Sequence, residues 1–141
     1  MKDRVFVDTN LWVYLFSKSE NKNDKKKNSG IKKLLRESTD IAVSAQVLSE
    51  LSNVLLRKMN TPVDKVRSII YQITESIEIK SVDEKDISYA LDIVERYKIS
   101  WYDALVAASA INIKATILYS EDLHHGLVID KALTIINPYI K

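Results

Sequence analysis

Short apolar segments alternate with longer amphipathic ones along the whole chain of 141 residues, and this alternation restricts the possible folds more than any other feature. Elements in this order form a mostly parallel sheet that is covered by helices. We therefore predict an α/β fold, a three-layer α/β/α sandwich with a roughly five-stranded sheet, built as a single domain over residues 1–141. The predicted strands cover residues 4–8, 41–44, 77–82, 116–119 and 133–136.

Between the strands, apolar residues recur at three- and four-residue spacing, which predicts amphipathic helices. Helices are predicted at residues 11–16, 31–35, 45–58, from 62 onward, from 81 or 83 to 97, and from a cap at Ser100 to about 113. Thr9 and Asn10 are predicted to cap the first of these and Thr61 the fourth, because their side-chain oxygens can accept free amide hydrogens. The helix of residues 83–97 is predicted to turn Ile87, Ala90, Leu91 and Val94 inward.

Residues 17–29 are polar and rich in lysine, which predicts a loop. Residues 18–33 carry seven lysines against Glu20 and Asp24, although the net charge of the whole chain is only +2. A solvated surface is the simpler interpretation of this segment. A patch that contacts phosphate groups is the alternative.

The chain contains no cysteine, which excludes disulfides, zinc–thiolate sites and thiol catalysis. The N-terminus has only three apolar residues in a row, Val5 to Val7, too few for a secretory signal, and no apolar run approaches the length of a membrane span. We therefore expect a cytoplasmic protein with no membrane partner.

Two acids follow predicted strands directly. Asp8 ends the first strand, and Asp122 comes just after residues 116–119. In open parallel sheets, ligands bind outside the carboxyl ends of the strands, so these acids are candidates for one site. For either acid taken alone, helix capping is the better explanation.

Asp103 and Glu50 lie on predicted helices. The helix around Asp103 is apolar almost all the way round, which predicts that Asp103 is buried and needs a cation, hydrogen bonds or a proton. Capping is the alternative for Asp103. Glu50 lies at the edge of an apolar stripe, where a boundary glutamate is the simpler interpretation.

Taken together, the four carboxylates point to a metal site. Two like charges about 4 Å apart repel by roughly 4 kcal/mol at an effective dielectric of 20, so such groups converge only if some are protonated or a cation binds. Oxygen ligands favour Mg²⁺ or Mn²⁺. Such an ion can activate water as a nucleophile and neutralise charge on a phosphoryl oxygen.

Four short motifs occur around these acids, at residues 5–10 (VFVDTN), 43–51 (VSAQVLSEL), 100–104 (SWYDA) and 119–123 (YSEDL). In this order and spacing they resemble the motifs of PIN domains, although the fourth has Ser120 where threonine is common. The tail, residues 126–138, resembles the bacterial toxin branch, the VapC-like proteins. The lysine-rich segment departs from the composition typical of the family.

The resemblance implies an endoribonuclease that depends on Mg²⁺ or Mn²⁺, cleaves an RNA substrate and acts as the toxin of a toxin–antitoxin pair. It also implies a homodimer and an antitoxin that inserts near the active site. By position, the catalytic and metal-binding acids would be Asp8, Glu50, Asp103 and Asp122. Asn10 and Ser120 would orient those acids or bound water.

Other interpretations stay open. A PIN-like module could bind RNA or protein without catalysis, and the same chemistry could act on structured DNA. His124 and His125 follow the fourth motif, but a solvent-exposed pair is the simpler interpretation. Trp12, Tyr14 and Phe16 could stack on bases, yet packing is favoured. No Gly-x-Ser-x-Gly elbow and no glycine-rich phosphate loop is present.

Overall fold

A computed structural model describes residues 3–140 of the chain. The strands are β1 Val5–Val7, β2 Ile41–Ser44, β3 Glu78–Lys80, β4 Ile117–Tyr119, β5 Val128–Ile129 and β6 Leu133–Ile136. The helices are α1 Thr9–Phe16, α2 Lys22–Glu37, α3 Ala45–Arg57, α4 Val63–Ser76, α5 Glu84–Tyr97 and α6 Trp101–Asn112.

The strands form one sheet in the order β3-β2-β1-β4-β6-β5. Every pairing is parallel except that of β5 with β6. Val5, Phe6 and Val7 of the central strand are all buried, so helices cover both faces of the sheet there. The predicted α/β/α architecture is confirmed, with a correction from five strands to six. Strand β5 has two residues, too few to show an alternating pattern in the sequence.

Serine caps begin the two helices that flank the acidic residues. The Ser44 hydroxyl accepts from the Val47 amide at 3.3 Å at the start of α3, and the Ser100 hydroxyl accepts from the Asp103 amide at 3.2 Å at the start of α6. Helix α3 then buries Val47, Leu51 and Leu55 along one stripe. The predictions of these two helices are confirmed in place and type.

The predicted caps of α1 and α4 are wrong. Asp8, the residue before Thr9, caps α1, because its carboxylate accepts from the Thr9 amide. Pro62 stands at the cap of α4, where no side chain caps the helix. Proline fits this place because its fixed backbone angle suits the start of a helix, and the amide hydrogen that it lacks would have no helical partner there.

The predicted loop at residues 17–29 is also wrong from Lys22 onward, where α2 begins. The Asn21 side chain caps this helix by accepting from the amides of Asn23 and Asp24. Lysine is a good helix former, and the high density of charge hid a narrow apolar side that is centred on the buried Ile31.

Helix α5 is rotated relative to the prediction. Ile87 and Leu91 are exposed, whereas Asp86, Ala90 and Ile93 face the interior. The rotation brings Asp86 against Lys80 and Asn112, which satisfy its carboxylate. Among the described residues, no helix is long and apolar enough to cross a membrane.

Candidate metal centre

The centre of the site is Asp8, which lies where β1 ends beside β4. The pairing of Val7 with Tyr119 brings the next residues of the two strands, Asp8 and Ser120, side by side. The Ser120 hydroxyl donates to Oδ2 of Asp8 at 2.9 Å, and the Thr9 amide donates to Oδ1 at 2.8 Å. Both oxygens are held in place, and only 6% of Asp8 is exposed.

The environment of Asp8 disfavours its charged form. Burial is the main cause that raises the pKa of the Asp8 carboxyl from 3.8 to about 6, while the hydrogen bonds from Thr9 and Ser120 act in the opposite direction. The charges of Asp122 and Glu50 raise the pKa further. Asp8 is therefore a carboxylate that a nearby cation would stabilise.

Asp122 lies at the surface beside Asp8. Its Oδ2 accepts from Nδ2 of Asn10 at 2.7 Å, so the first and fourth motifs are joined by this bond. Burial raises the pKa of Asp122, and the charges of Asp103, Glu121 and Glu50 raise it further, while the bond from Asn10 lowers it. These charge effects place Asp103 and Glu50 in the same electrostatic neighbourhood as Asp122.

Glu50 is partly buried and held by two donors. The Thr9 hydroxyl donates to Oε2 at 3.1 Å, and Nε2 of Gln46 donates to Oε1 at 2.9 Å. Nε2 of Gln46 also lies 3.3 Å from the Tyr102 carbonyl oxygen, which links α3 to the start of α6. Sequence reasoning missed Gln46 and gave Thr9 only a capping role, although the spacing of Gln46 four residues before Glu50 is a recognisable helix pairing.

Asp103 is partly exposed, so the prediction that it is buried is wrong. The fully buried run of α6 begins one residue later, at Ala104, and the first turn of the helix stays open to solvent. The capping role is taken by Ser100, which accepts from the Asp103 amide. Within residues 3–140, no hydrogen bond reaches the Asp103 carboxylate, which leaves its oxygens available as ligands.

The donor set matches a hard divalent cation. All four predicted ligands offer carboxylate oxygens, which Mg²⁺ and Mn²⁺ prefer. In the described part of the chain, no Lys, Arg or His forms an ion pair with any of the four. In the same residues, no three acidic or histidine side chains stand close enough to hold one ion in this conformation, so the carboxylates would have to move closer together to share one.

The remaining candidates lie outside this cluster. His124 and His125 are exposed, and Nδ1 of His125 accepts from the Asn137 amide at 3.0 Å. Trp12 is buried and donates to the Val7 carbonyl oxygen at 3.0 Å, so its indole packs inside the fold. Tyr14 takes part in a separate cluster beside the turn that carries Asp122.

The sequence matches the PIN domain family over residues 5–127. The chain therefore belongs to the PIN domain family, which confirms the resemblance seen in its four motifs. A separate comparison with curated proteins finds no matching sequence.

Solved structures of toxins share the fold. VapC20 of Mycobacterium tuberculosis, a toxin that cleaves the sarcin-ricin loop, is 19% identical over 84% of this chain and 89% of its own, with a TM-score of 0.68. A toxin–antitoxin complex from Klebsiella pneumoniae is 18% identical over 96% and 98%, with a TM-score of 0.71. VapBC2 of Rickettsia felis, bound to a promoter DNA fragment, is 22% identical over 93% and 96%, with a TM-score of 0.62.

Proposed function

We propose that this chain is an endoribonuclease that depends on Mg²⁺ or Mn²⁺ and serves as the toxin of a toxin–antitoxin pair. One observation carries the proposal. Asp8 is buried and has the charges of Glu50 and Asp122 near it. Because a buried carboxylate with like charges around it is costly, a divalent cation from solution is the natural complement to this cluster.

The side chains divide the work between holding the ion and orienting the ligands. Asp8, Glu50, Asp103 and Asp122 would bind the metal, which when present supplies an activated water and neutralises charge on the scissile phosphate. Ser120 and the Thr9 amide fix the two oxygens of Asp8. Asn10 orients Asp122, and Thr9 and Gln46 orient Glu50. We assign no separate protein group as the general base.

The choice of RNA as substrate and of an antitoxin as partner is supported by family and fold. The chain is a PIN domain, and VapC20, a toxin of the same fold, cleaves the sarcin-ricin loop. A similar structure was solved as a toxin–antitoxin complex. We extend to this chain the antitoxin partner, and with it the homodimer that the motifs imply.

The proposal is tested by expression in a bacterial host with growth measurement and mapping of RNA ends, comparing wild type with Asp8→Asn. Asparagine keeps the shape and the capping ability of Asp8 but removes its charge. We expect growth arrest and new RNA ends with wild type and not with Asp8→Asn. Asp64→Asn is the matched control, because Asp64 is a fully exposed acid at the start of α4, and it should behave as wild type.

Purified protein separates the competing functions. Wild type incubated with a mixed RNA pool and Mn²⁺ should cleave it, and chelation should stop the cleavage. Binding of RNA without any cleavage under these conditions would instead favour a non-catalytic module. Cleavage of flapped DNA in preference to RNA would favour a structure-specific DNA nuclease.

A further inference from the structure

Three consecutive residues after β4 are each tied to the first helix or its cap. All three bonds are short. Ser120 and Asp122 face the acidic site, which consists of Asp8, Glu50, Asp103 and Asp122, and Glu121 lies on the opposite side of the turn. The pairs are Ser120 with Asp8 (2.9 Å), Glu121 with Tyr14 (2.8 Å) and Asp122 with Asn10 (2.7 Å). The turn that presents Asp122 is thus held from two sides, and Glu121 is its outer anchor.

Glu121 is also paired with a lysine of the lysine-rich segment. Nζ of Lys27 lies 2.6 Å from Oε2 of Glu121, and only 20% and 22% of the two side chains are exposed. Nζ of Lys27 also donates to the Tyr14 hydroxyl at 3.1 Å. An ion pair this sheltered from water is screened less than one at the surface, and it holds its partners in a defined geometry.

Two tyrosines enclose this ion pair. Nζ of Lys27 lies 4.8 Å from the ring centre of Tyr14 and 5.5 Å from that of Tyr139, within the range of cation–π attraction. The Tyr139 hydroxyl donates to the Lys27 carbonyl oxygen at 3.1 Å. Gly30 allows this approach, because a Cβ there would lie 3.1 Å from the Tyr139 ring.

A second ion pair in the same region provides the contrast. Nζ of Lys25 lies 2.8 Å from Oε2 of Glu20, but 59% and 88% of these side chains are exposed. Exposed pairs of this kind add little to stability and fix no geometry. Of the seven lysines in residues 18–33, Lys27 therefore stands out by its burial and its partners.

We propose that Lys27 is a positioning residue, which through Glu121 fixes the turn that carries Asp122 and so sets the place of one carboxylate in the acidic site. The effect of this placement on RNA cleavage rests on the proposed function. The placement of the turn itself does not depend on that function, and it can be measured in metal-free protein. Lys27, one lysine of the lysine-rich segment, thus shapes the site rather than contacting phosphate groups.

Hydrogen exchange of the Asp122 and Leu123 amides tests the placement directly, since both amides donate to the Ser120 hydroxyl inside the turn. In Lys27→Met, which keeps the apolar stem, we expect exchange at these amides to be about tenfold faster, as for loss of one charged hydrogen bond. Lys27→Arg should exchange more slowly than Lys27→Met, because arginine keeps the charge and can still pair with Glu121. Lys25→Met is the matched control and should exchange as wild type.

Should Lys27→Met fail to fold, Glu121→Gln provides the same comparison, because it removes the charge of the partner and keeps an oxygen for Tyr14. Exchange that is unchanged in both Lys27→Met and Glu121→Gln would overturn the proposal. Exchange that is equally accelerated in Lys25→Met would overturn it as well, because the effect would then belong to α2 as a whole.

Calorimetric titration with Mn²⁺ gives an independent readout. Lys27→Met removes a positive charge near the site, which by charge alone strengthens the binding of a divalent cation. A displaced Asp122 has the opposite effect, and loss of a residue that supports a ligand weakens metal binding by about tenfold. We expect weaker binding in Lys27→Met than in wild type and Lys25→Met, while equal or tighter binding would overturn the proposal. If wild type bound no Mn²⁺, the proposed function would fail, but the exchange data would still decide the role of Lys27.

Discussion

Among residues 3–140, two aspartates are buried, and they differ in what surrounds their charge. Asp86 is 0% exposed, and Nζ of Lys80 lies 2.9 Å from its Oδ2 while Nδ2 of Asn112 donates to its Oδ1 at 2.6 Å. Asp8 is almost as buried, but its neighbours are an amide, a hydroxyl and the charges of other acids. One carboxylate has a cation from the chain, and the other, within the described residues, has none.

The difference separates a structural acid, Asp86, from the acid that we propose to be functional, Asp8. Both residues lie near the start of a helix, so helix capping does not distinguish them. A buried charge that is paired within the fold needs nothing from solution, whereas a buried charge among like charges needs a cation or a proton. Asp86 therefore fixes α5 against β3 and α6, and Asp8 is the reason why we propose a metal at the carboxyl end of β1.

The largest expected effect is that of Asp8→Asn on RNA cleavage. Asparagine can still accept from the Thr9 amide, so the helix cap remains, but the charge that would bind the metal is gone. We expect the cleavage rate to fall by about 10³-fold or more, in the range seen when a central electrostatic contribution is removed. A gel assay with Mn²⁺ measures this. Asp8→Asn cleavage within threefold of wild type would remove the distinction between the two aspartates.

Asp86→Asn should lower the stability of the fold and leave RNA cleavage unchanged, in contrast to Asp8→Asn. The change leaves Lys80, whose side chain is 17% exposed, with only the more distant Asp83 as an acidic partner at 3.7 Å. We expect a loss of about 3 to 4 kcal/mol in the free energy of unfolding, as for a broken buried ion pair. Urea denaturation measures this loss, and the cleavage rate per folded molecule should not change. A loss of cleavage in folded Asp86→Asn would show that this acid is not purely structural.

The pH dependence of stability should distinguish Asp8 as well. Its folded-state pKa is raised to about 6 from 3.8, so the folded state holds its proton more tightly than the unfolded chain does. The contribution of Asp8 to the free energy of unfolding is therefore highest below about pH 4. It falls as the pH rises toward 6, by no more than about 3 kcal/mol. In metal-free denaturation series, the free energy of unfolding of Asp8→Asn should rise relative to that of wild type as the pH increases over this range. A constant difference would contradict the raised pKa.

The smallest effect is expected at a third aspartate, which is paired at the surface. Asp130, in the turn between β5 and β6, accepts from Arg96, Tyr89 and Tyr97 of α5. Arg96 is 45% exposed, so water screens much of its attraction to Asp130. We expect Arg96→Met to lower the free energy of unfolding by about 1 kcal/mol or less and to leave cleavage unchanged. A larger loss in thermal denaturation would mean that this turn contributes more to the fold than its exposure suggests.

The sequence was a better guide to the nearness of Asp8 and Asp122 than to the role of Asp86 in holding α5. Asp8 and Asp122 could be predicted because a parallel sheet brings the carboxyl ends of its strands together, whatever the details of packing. Asp86 could not, since Lys80 and Asn112 meet it only after the rotation of α5 is set by tertiary contacts. The exposed Ile87 and Leu91 show that apolar periodicity alone did not determine that rotation.

The other errors have similar physical causes. The burial of Asp103 was predicted from an apolar helix, but the first turn of α6 lies at the edge of the core and stays open to solvent. The first half of helix α2, residues 22–29, was predicted as a loop and only residues 31–35 as helix, because the single fully buried residue of α2, Ile31, gives too weak a periodicity against so many lysines. The role that we infer for Lys27 depends on Glu121 and Tyr139, both far away along the chain, and no local pattern indicates such a contact.

The most direct test of the difference between the two aspartates is the effect of Mn²⁺ on the free energy of unfolding in wild type, Asp8→Asn and Asp86→Asn. At about one hundred times its dissociation constant, an ion that binds only the folded state adds about 2.7 kcal/mol of stability. We expect this increment for wild type and Asp86→Asn, although the latter starts from a lower stability, and little or none for Asp8→Asn. An equal increment in Asp8→Asn, or none in wild type, would contradict this expectation.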